Sequence, residues 1–134
     1  MPAMRYSRAT ALALLAVLAA TPAHADPLDG CRQNQDLEQK VESCTGLLVV
    51  LDGVIGDHAW ALAERANGHC WLGGSEAAVV DIWHWFSEDP ASIRRMQAKL
   101  ATLGFYAGEI NGGFSAALDD AVIAWAEAGC PEAR

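Results

Sequence analysis

Residues 75–104, SEAAVVDIWHWFSEDPASIRRMQAKLATLG, decide the fold of this chain. Apolar side chains recur three and four positions apart in the first half, at Val79, Ile82 and Phe86, which is typical of a helix with one buried face. Asp89-Pro90 marks a second start, because aspartate caps helices and proline suits the first helical position. The stretch therefore predicts two consecutive amphipathic helices.

The same spacing extends outward in both directions. Upstream, a helix is predicted from about Gln35 to Leu48, and another from its N-cap Asp57 to Gly73-Gly74. Downstream, Ser115 can cap a fifth helix after a glycine-rich loop. The positions predicted to be buried in the last two helices are Ile93, Met96, Leu100, Leu103, Leu118, Ala121, Val122 and Trp125.

The fold class that follows is all-α. Ser75 can cap the helix that carries Val79, with Glu76 in its first turn. Val49-Val50-Leu51 is the only stretch with β character, and it is too short to build a sheet.

The first 25 residues have the three parts of a secretory signal peptide. Met1–Arg8 is basic, Ala9–Ala20 is almost entirely apolar, and Ala23-His24-Ala25 supplies small residues before a cleavage site. A helix needs about 20 apolar residues to cross a membrane, and this apolar run is shorter. We therefore expect a periplasmic or secreted protein with no membrane insertion after cleavage, a retained anchor being the alternative.

The mature chain is acidic. The sequence has 9 basic and 17 acidic residues, and Arg5 and Arg8 leave with the signal peptide, so the net charge becomes −10. Such a chain repels phosphate backbones and anionic headgroups. Nucleic-acid binding and docking on anionic membranes are therefore disfavoured.

All four cysteines lie in the mature part, which implies two disulfides in an exported protein. Four cysteines allow three pairings. We favour Cys31–Cys44, which closes a short loop beside a predicted helix, and Cys70–Cys130, which joins the end of the chain to the middle of the fold. On the chain-entropy account each contributes about 3–4 kcal/mol.

Residues between Leu62 and Pro90 match the small-residue, turn and terminal-proline positions of a known repeat at fixed intervals. The set comprises Arg65, Ala66, Asn67, Gly68, Gly73, Ala77, Ala78, Val79, Phe86, Asp89 and Pro90. The pattern resembles one tetratricopeptide repeat, although Trp85 stands where the repeat usually has alanine. The resemblance implies that residues 26–89 are a tetratricopeptide-like helical region, with a degraded half-repeat around Cys44.

A second set of fixed spacings lies between Ile93 and Ala128. It comprises Gln97, Leu100, Leu103-Gly104-Phe105-Tyr106, Gly108, Ile110-Asn111-Gly112, Phe114, Ala117, Ala121-Val122 and Trp125. This set resembles the first two helices of a peptidoglycan-binding-like domain, assigned to residues 90–134. The resemblance implies a helix, a glycine-bent loop and a second helix.

Three positions depart from the pattern of that family. Asn111-Gly112 stands where the family usually has Asp-Gly, Ser115-Ala116 where it has Gly-Pro, and Leu118 where it has threonine. The family's third helix does not follow. The resemblance therefore bears on the fold more than on wall binding.

No motif marks a catalytic, metal or cofactor site. His58, His69 and His84 lack the spacing that brings histidines and thiolates together on zinc. Glu64 and Asp81, like Glu109, have no spacing that marks a catalytic pair, and solvated helix faces explain them. We therefore expect no catalytic residue, no metal and no cofactor, and hence no enzyme.

The tryptophans are the remaining candidates for a binding surface. Trp83 and Trp85 are two positions apart and cannot share a helix face, so we expect one of them to face solvent or the C-terminal unit. Aromatic faces bind sugars and partner proteins. The alternative is that all five tryptophans join the helices into one core.

Two functional hypotheses follow. The leading one is a non-catalytic periplasmic or cell-envelope module that contacts peptidoglycan or a related glycan. Its candidate ligand-binding residues are Phe105, Tyr106, Glu109, Asn111 and Phe114, with Tyr106 expected to be exposed. The alternative is a periplasmic protein–protein adaptor that binds an envelope protein through Trp83 and Trp85. A small envelope hydrolase is the third hypothesis.

Overall fold

The computed structural model describes residues 26–132, and six helices occur in that range. They are α1 (Pro27–Arg32), α2 (Leu37–Val50), α3 (Ile55–Trp71), α4 (Ser75–Glu88), α5 (Ala91–Thr102) and α6 (Ala116–Glu127). No strand occurs in this part of the chain, which confirms the all-α fold class. The predicted signal peptide, residues 1–25, lies outside the described residues.

The first described helix is α1, which the apolar spacing did not predict. Asp26 is its N-cap and accepts a hydrogen bond from the Leu28 amide at 3.1 Å, while Pro27 takes the first helical position. The Cys31–Cys44 pairing is as predicted, and the disulfide ties α1 to α2. Helix α2 continues through Val49 and Val50, so the only stretch with β character is mostly helical.

Helices α3 and α4 form an antiparallel hairpin. Its short turn contains Gly73 at φ +84°, a backbone angle that favours glycine. Arg65 of α3 forms a two-pronged ion pair with Asp81 of α4, with N–O distances of 2.8 and 2.7 Å. His58 and Glu88 pair near the other end of the hairpin at 2.8 Å. The pairing of early α3 with late α4 residues fixes their opposite directions.

Three predicted helix starts are corrected by the structure. Asp57 is not an N-cap, because α3 begins two residues earlier at Ile55 and Asp57 lies in its first turn. Ser75 is the first residue of α4, after the N-cap Gly74. Asp89 does not cap α5, since its carboxylate pairs with Arg95 at 2.9 Å and Pro90 takes the N-cap position.

Helix α6 begins where the sequence predicted. Ser115 is its N-cap, and the serine hydroxyl accepts a hydrogen bond from the Leu118 amide at 3.1 Å. The Cys70–Cys130 disulfide joins the end of α3 to the residues after α6, which confirms the second predicted pairing. Of the positions predicted to be buried in α5 and α6, only Leu103 is half-buried.

One apolar cluster reaches from α3 through α6, and a smaller one joins α1, α2 and α3. The larger cluster therefore combines residues from both predicted regions, 26–89 and 90–134. Trp85 packs against both clusters. The tetratricopeptide-like and peptidoglycan-binding-like identities of the two regions stay predictions. Within residues 26–132, no helix is both long and apolar enough to cross a membrane.

Candidate functional site

The loop between α5 and α6, residues 103–115, is held by one buried amide side chain. Gln97 accepts hydrogen bonds from the Asn111 amide at 3.1 Å and from the Gly112 amide at 2.8 Å. Its Nε2 group donates to the Gly113 carbonyl at 3.0 Å and to the Asn111 side chain at 3.2 Å. The side-chain oxygen and the backbone amide of Asn111 are therefore engaged inside the loop.

Tyr106 is buried, so the expectation that it faces solvent is wrong. Its side chain is 7% exposed and belongs to the larger apolar cluster. The phenol hydroxyl donates to the Glu109 carbonyl at 2.7 Å, and a Cβ at Gly108 would come within 2.5 Å of that hydroxyl. Burial with a satisfied hydroxyl is the stable arrangement for tyrosine, and it leaves no ring face for a sugar.

The other loop candidates divide into two kinds. Phe105 is half-buried and packs against the larger apolar cluster, so it anchors the loop to the helices. Phe114 is 56% exposed, but its ring lies 5.3 Å from that of Trp83 and 5.9 Å from that of Phe86. Glu109 is exposed. The structure therefore does not bring the five loop candidates together on one concave surface.

Trp83 and Trp85 lie on different sides of α4, as their spacing predicted. Both are half-buried. Trp83 contacts Phe114 at the start of α6, whereas Trp85 faces a depression between α3 and α5. They cannot form one partner-binding patch.

A depression lined by α3, α4 and α5 lies beside Trp85, and we call it the tryptophan groove. It has two connected parts, of about 130 and 300 Å³, which share Ala63, Trp85 and Arg95. Along α3 it extends from Gly56 to Asn67, roughly 16 Å at the helical rise. Small side chains on α3, Ala59 among them, leave room for it.

Aromatic rings and ion pairs surround the tryptophan groove. Trp60 lines one part, Trp125 lines the other, and Trp85 lines both. Arg95 on the rim pairs with Asp89, and Lys99 pairs with Glu132 while lying 4.8 Å from the Trp125 ring centre. The rim therefore has cations and carboxylates in close balance, although the chain as a whole is acidic.

Asn67 supplies the free polar group of the tryptophan groove. Its half-buried side chain lines the smaller part, and its amide makes no hydrogen bond to any residue in 26–132. A side-chain amide offers a carbonyl acceptor and two N–H donors. This arrangement can recognise a ligand that has both kinds of group next to an apolar face.

The histidines do not assemble a metal centre in the described region. No group of three or more histidine, cysteine, aspartate and glutamate side chains there could hold a metal ion. His69 lies 3.8 Å from Asp81. Burial lowers the pKa of His69 below its ordinary value; the Asp81 carboxylate acts to raise it, and the Arg65 guanidinium lowers it further.

Sequence reasoning missed the tryptophan groove. Asn67 entered only as a small residue of the repeat pattern, and Arg95 and Lys99 were not singled out. The alanine spacing on α3 at Ala59, Ala63 and Ala66 is the one sequence signal for a shallow helix face. No protein family, no curated protein and no solved structure matches this chain.

Proposed function

We propose that this protein is a non-catalytic binding module of the cell envelope and that a glycan segment, with peptidoglycan as the leading candidate, occupies the tryptophan groove. The observation that carries the proposal is the free amide of Asn67, which lines the same part of the groove as Trp85. Sugars combine apolar C–H faces, which stack on aromatic rings, with hydroxyl and amide groups, which need hydrogen-bond partners. The groove offers both.

The size of the tryptophan groove supports an extended ligand of a few ring units. The larger part, about 300 Å³, is at the lower end of the range typical of ligand sites. Both parts are open depressions and not enclosed cavities, so a polymer can lie along α3 without threading through the protein. The balanced ion pairs of the rim suit a polar ligand that carries little net charge.

The tryptophan groove replaces the loop before α6 as the proposed ligand site. The Asn111 side-chain oxygen is engaged with Gln97, and the Tyr106 hydroxyl with the Glu109 carbonyl, so these two candidate ligand groups of the loop already have partners. A ligand there would have to break those hydrogen bonds without an equivalent return. The signal-peptide pattern of residues 1–25 and the two disulfides support export to the periplasm or beyond.

Co-sedimentation with purified sacculi tests this function. We expect the mature protein to sediment with sacculi, and Asn67→Ala to weaken binding about tenfold, because the only free amide of the smaller part is removed. Asn34→Ala is the matched control, since Asn34 is exposed and distant from the groove residues in sequence. It should bind like the parent protein.

Three outcomes would overturn parts of the proposal. Failure of the parent protein to sediment would contradict a glycan as the ligand. Loss of binding in Phe114→Ala with full binding in Asn67→Ala would place the ligand on the loop side. Release of soluble fragments from the sacculi would contradict the non-catalytic assignment.

A further inference from the structure

A second surface lies on the other side of α4, where α4 and α6 meet, and we call it the acidic seam. The start of α4 lies beside the later part of α6, around Val79 and Ile123, and the later part of α4 lies beside the start of α6, around Trp83 and Phe114. The two helices are therefore antiparallel. Two shallow depressions, of about 300 and 440 Å³, follow the line between them.

The middle of the acidic seam is apolar and open to solvent. Phe114 is 56% exposed and Ile123 36% exposed, and Trp83 stacks beside Phe114 at a ring distance of 5.3 Å. Val80, one turn before Trp83 on α4, is 53% exposed. Exposed apolar side chains grouped in this way mark interaction surfaces.

Its edges are negative. Glu76 and Glu127 line the first depression, Asp119 lines the second, and no lysine or arginine lines either one. None of these three carboxylates forms an ion pair with a residue in 26–132. The carboxylates are thus available to cations from another molecule.

We propose that the acidic seam is a docking site for a basic amphipathic helix of a partner protein. Apolar side chains of that helix would contact Trp83, Phe114 and Ile123, while its lysines or arginines would pair with Glu76, Asp119 and Glu127. Helices dock in apolar grooves through anchors spaced by three, four and seven residues. Glu76 and Trp83 are seven residues apart, about 10 Å along α4, so two turns of a docked helix span the seam.

Charge selects this occupant over the others. A second copy of this chain would bring the same carboxylates to the seam, and like charges across an interface oppose binding. An anionic membrane is repelled for the same reason. A glycan without cations would leave the three carboxylates unpaired. The docking surface is independent of the tryptophan groove, so both ligands can bind at once.

A designed helical peptide with leucines on one face and lysines on the other is the probe. We expect the mature protein to bind this peptide in a fluorescence anisotropy titration, and to ignore the same peptide with glutamates in place of lysines. Phe114→Ala should weaken binding about tenfold, because an exposed aromatic anchor is lost. Sacculus binding by Phe114→Ala should be unchanged, which separates this surface from the groove.

A charge-matched pair of variants distinguishes the seam from general attraction to an acidic protein. Asp119→Lys with Glu127→Lys should abolish peptide binding. Asp29→Lys with Glu42→Lys makes the same change in net charge at exposed positions of α1 and α2, and should reduce binding less than about threefold.

Equal losses in the two charge variants would overturn the proposal, as would full binding by Phe114→Ala. Two further results would assign the surface to another occupant and so contradict it. One is concentration-dependent dimerisation in sedimentation velocity that Phe114→Ala removes. The other is binding to phosphatidylglycerol vesicles that the same variant removes. Circular dichroism of every variant establishes that the fold is intact.

Discussion

Lys40 is a fully buried charged side chain that joins three helices. Its ammonium group lies 2.5 Å from the Glu64 carboxylate of α3 and 2.5 Å from the Cys31 carbonyl of α1. A buried charge is tolerated only where it is paired and hydrogen-bonded. Lys40 therefore fixes the relative positions of α1, α2 and α3, and no sequence pattern marked it, since a lysine on a helix is ordinarily solvated.

Replacing Lys40 should cost far more stability than replacing a lysine at the surface. We expect Lys40→Met to lower the free energy of unfolding by about 2–3 kcal/mol, because Glu64 is left partly buried without its partner. Lys99→Met, which removes the more exposed pair with Glu132, should cost about 1 kcal/mol or less. Urea denaturation measures both, and similar losses would contradict the structural role of Lys40.

His69 should make stability depend on pH in a defined direction. Burial lowers the pKa of His69 below 6.5, so the unfolded chain takes up a proton at a higher pH than the folded one. The stabilisation is complete above about pH 6.5 and is lost as the pH falls through the folded-state pKa.

We expect His69→Gln to flatten the fall in the urea midpoint between about pH 7.5 and about pH 5.5. His84→Gln, at an exposed position of α4, is the control and should leave the slope unchanged. A slope that is the same in both variants would contradict a role for His69.

At the scale of elements, Gln97 determines the shape of the loop before α6. Its buried amide forms hydrogen bonds with the backbone of Asn111, Gly112 and Gly113. The sequence placed Gln97 within a recognisable pattern but gave no indication of these contacts, because they join residues 14 to 16 positions apart. These contacts engage the Asn111 side-chain oxygen and backbone groups of Asn111, Gly112 and Gly113.

Gln97→Leu should lower the free energy of unfolding by about 2–3 kcal/mol, since two backbone amides and one backbone carbonyl of the loop lose their partner. Thr102→Val, which removes an exposed hydrogen bond from the side chain to the Ala98 carbonyl on the same helix, is the control and should cost less than about 1 kcal/mol. Amide hydrogen exchange at Gly112 should be faster in Gln97→Leu and unchanged in Thr102→Val. Equal losses of stability in the two variants would contradict the role of Gln97 in the loop.

Local sequence signals predicted the existence of the helices more accurately than they predicted the residue at which each helix begins. The apolar spacing placed five of the six helices, and it missed α1, where Asp26 and Pro27 supply a cap and a first residue but six residues are too few to show a period. The start of α3 was misplaced at Asp57 because a good capping residue also suits a first turn. Asp89 was misassigned because its ion pair with Arg95 depends on the orientation of α5.

At the scale of the whole molecule, two disulfides join distant parts of the chain. Cys31–Cys44 spans 13 residues and Cys70–Cys130 spans 60. On the chain-entropy account the longer loop is worth about 4 kcal/mol and the shorter about 3 kcal/mol. Both favoured pairings are confirmed, although the sequence alone left three pairings of the four cysteines open.

The double variant Cys70→Ala/Cys130→Ala should therefore be less stable than Cys31→Ala/Cys44→Ala by about 1 kcal/mol in urea denaturation. Mass measurement after alkylation without reductant should show no modified thiol in the parent protein. Greater destabilisation by loss of the shorter loop would show that packing of α1, and not loop closure, determines the order.

The tryptophan groove is a property of the assembled molecule. Asn67 lies on α3, Trp85 on α4 and Arg95 on α5, and only the tertiary arrangement brings them around one space. The sequence could predict that Trp83 and Trp85 face different ways, but not which of them would meet a concave surface. The sequence pattern predicted the binding site on the loop because the loop residues are close together in the chain. The groove residues come together only in the folded structure.

Nitrogen-15 NMR titration with soluble peptidoglycan fragments tests the central claim most directly. If a glycan occupies the tryptophan groove, the largest shift changes will be at the side-chain amide of Asn67 and the indole N–H groups of Trp60 and Trp85. Changes concentrated at Glu109 to Phe114, or no change at millimolar fragment, would contradict it.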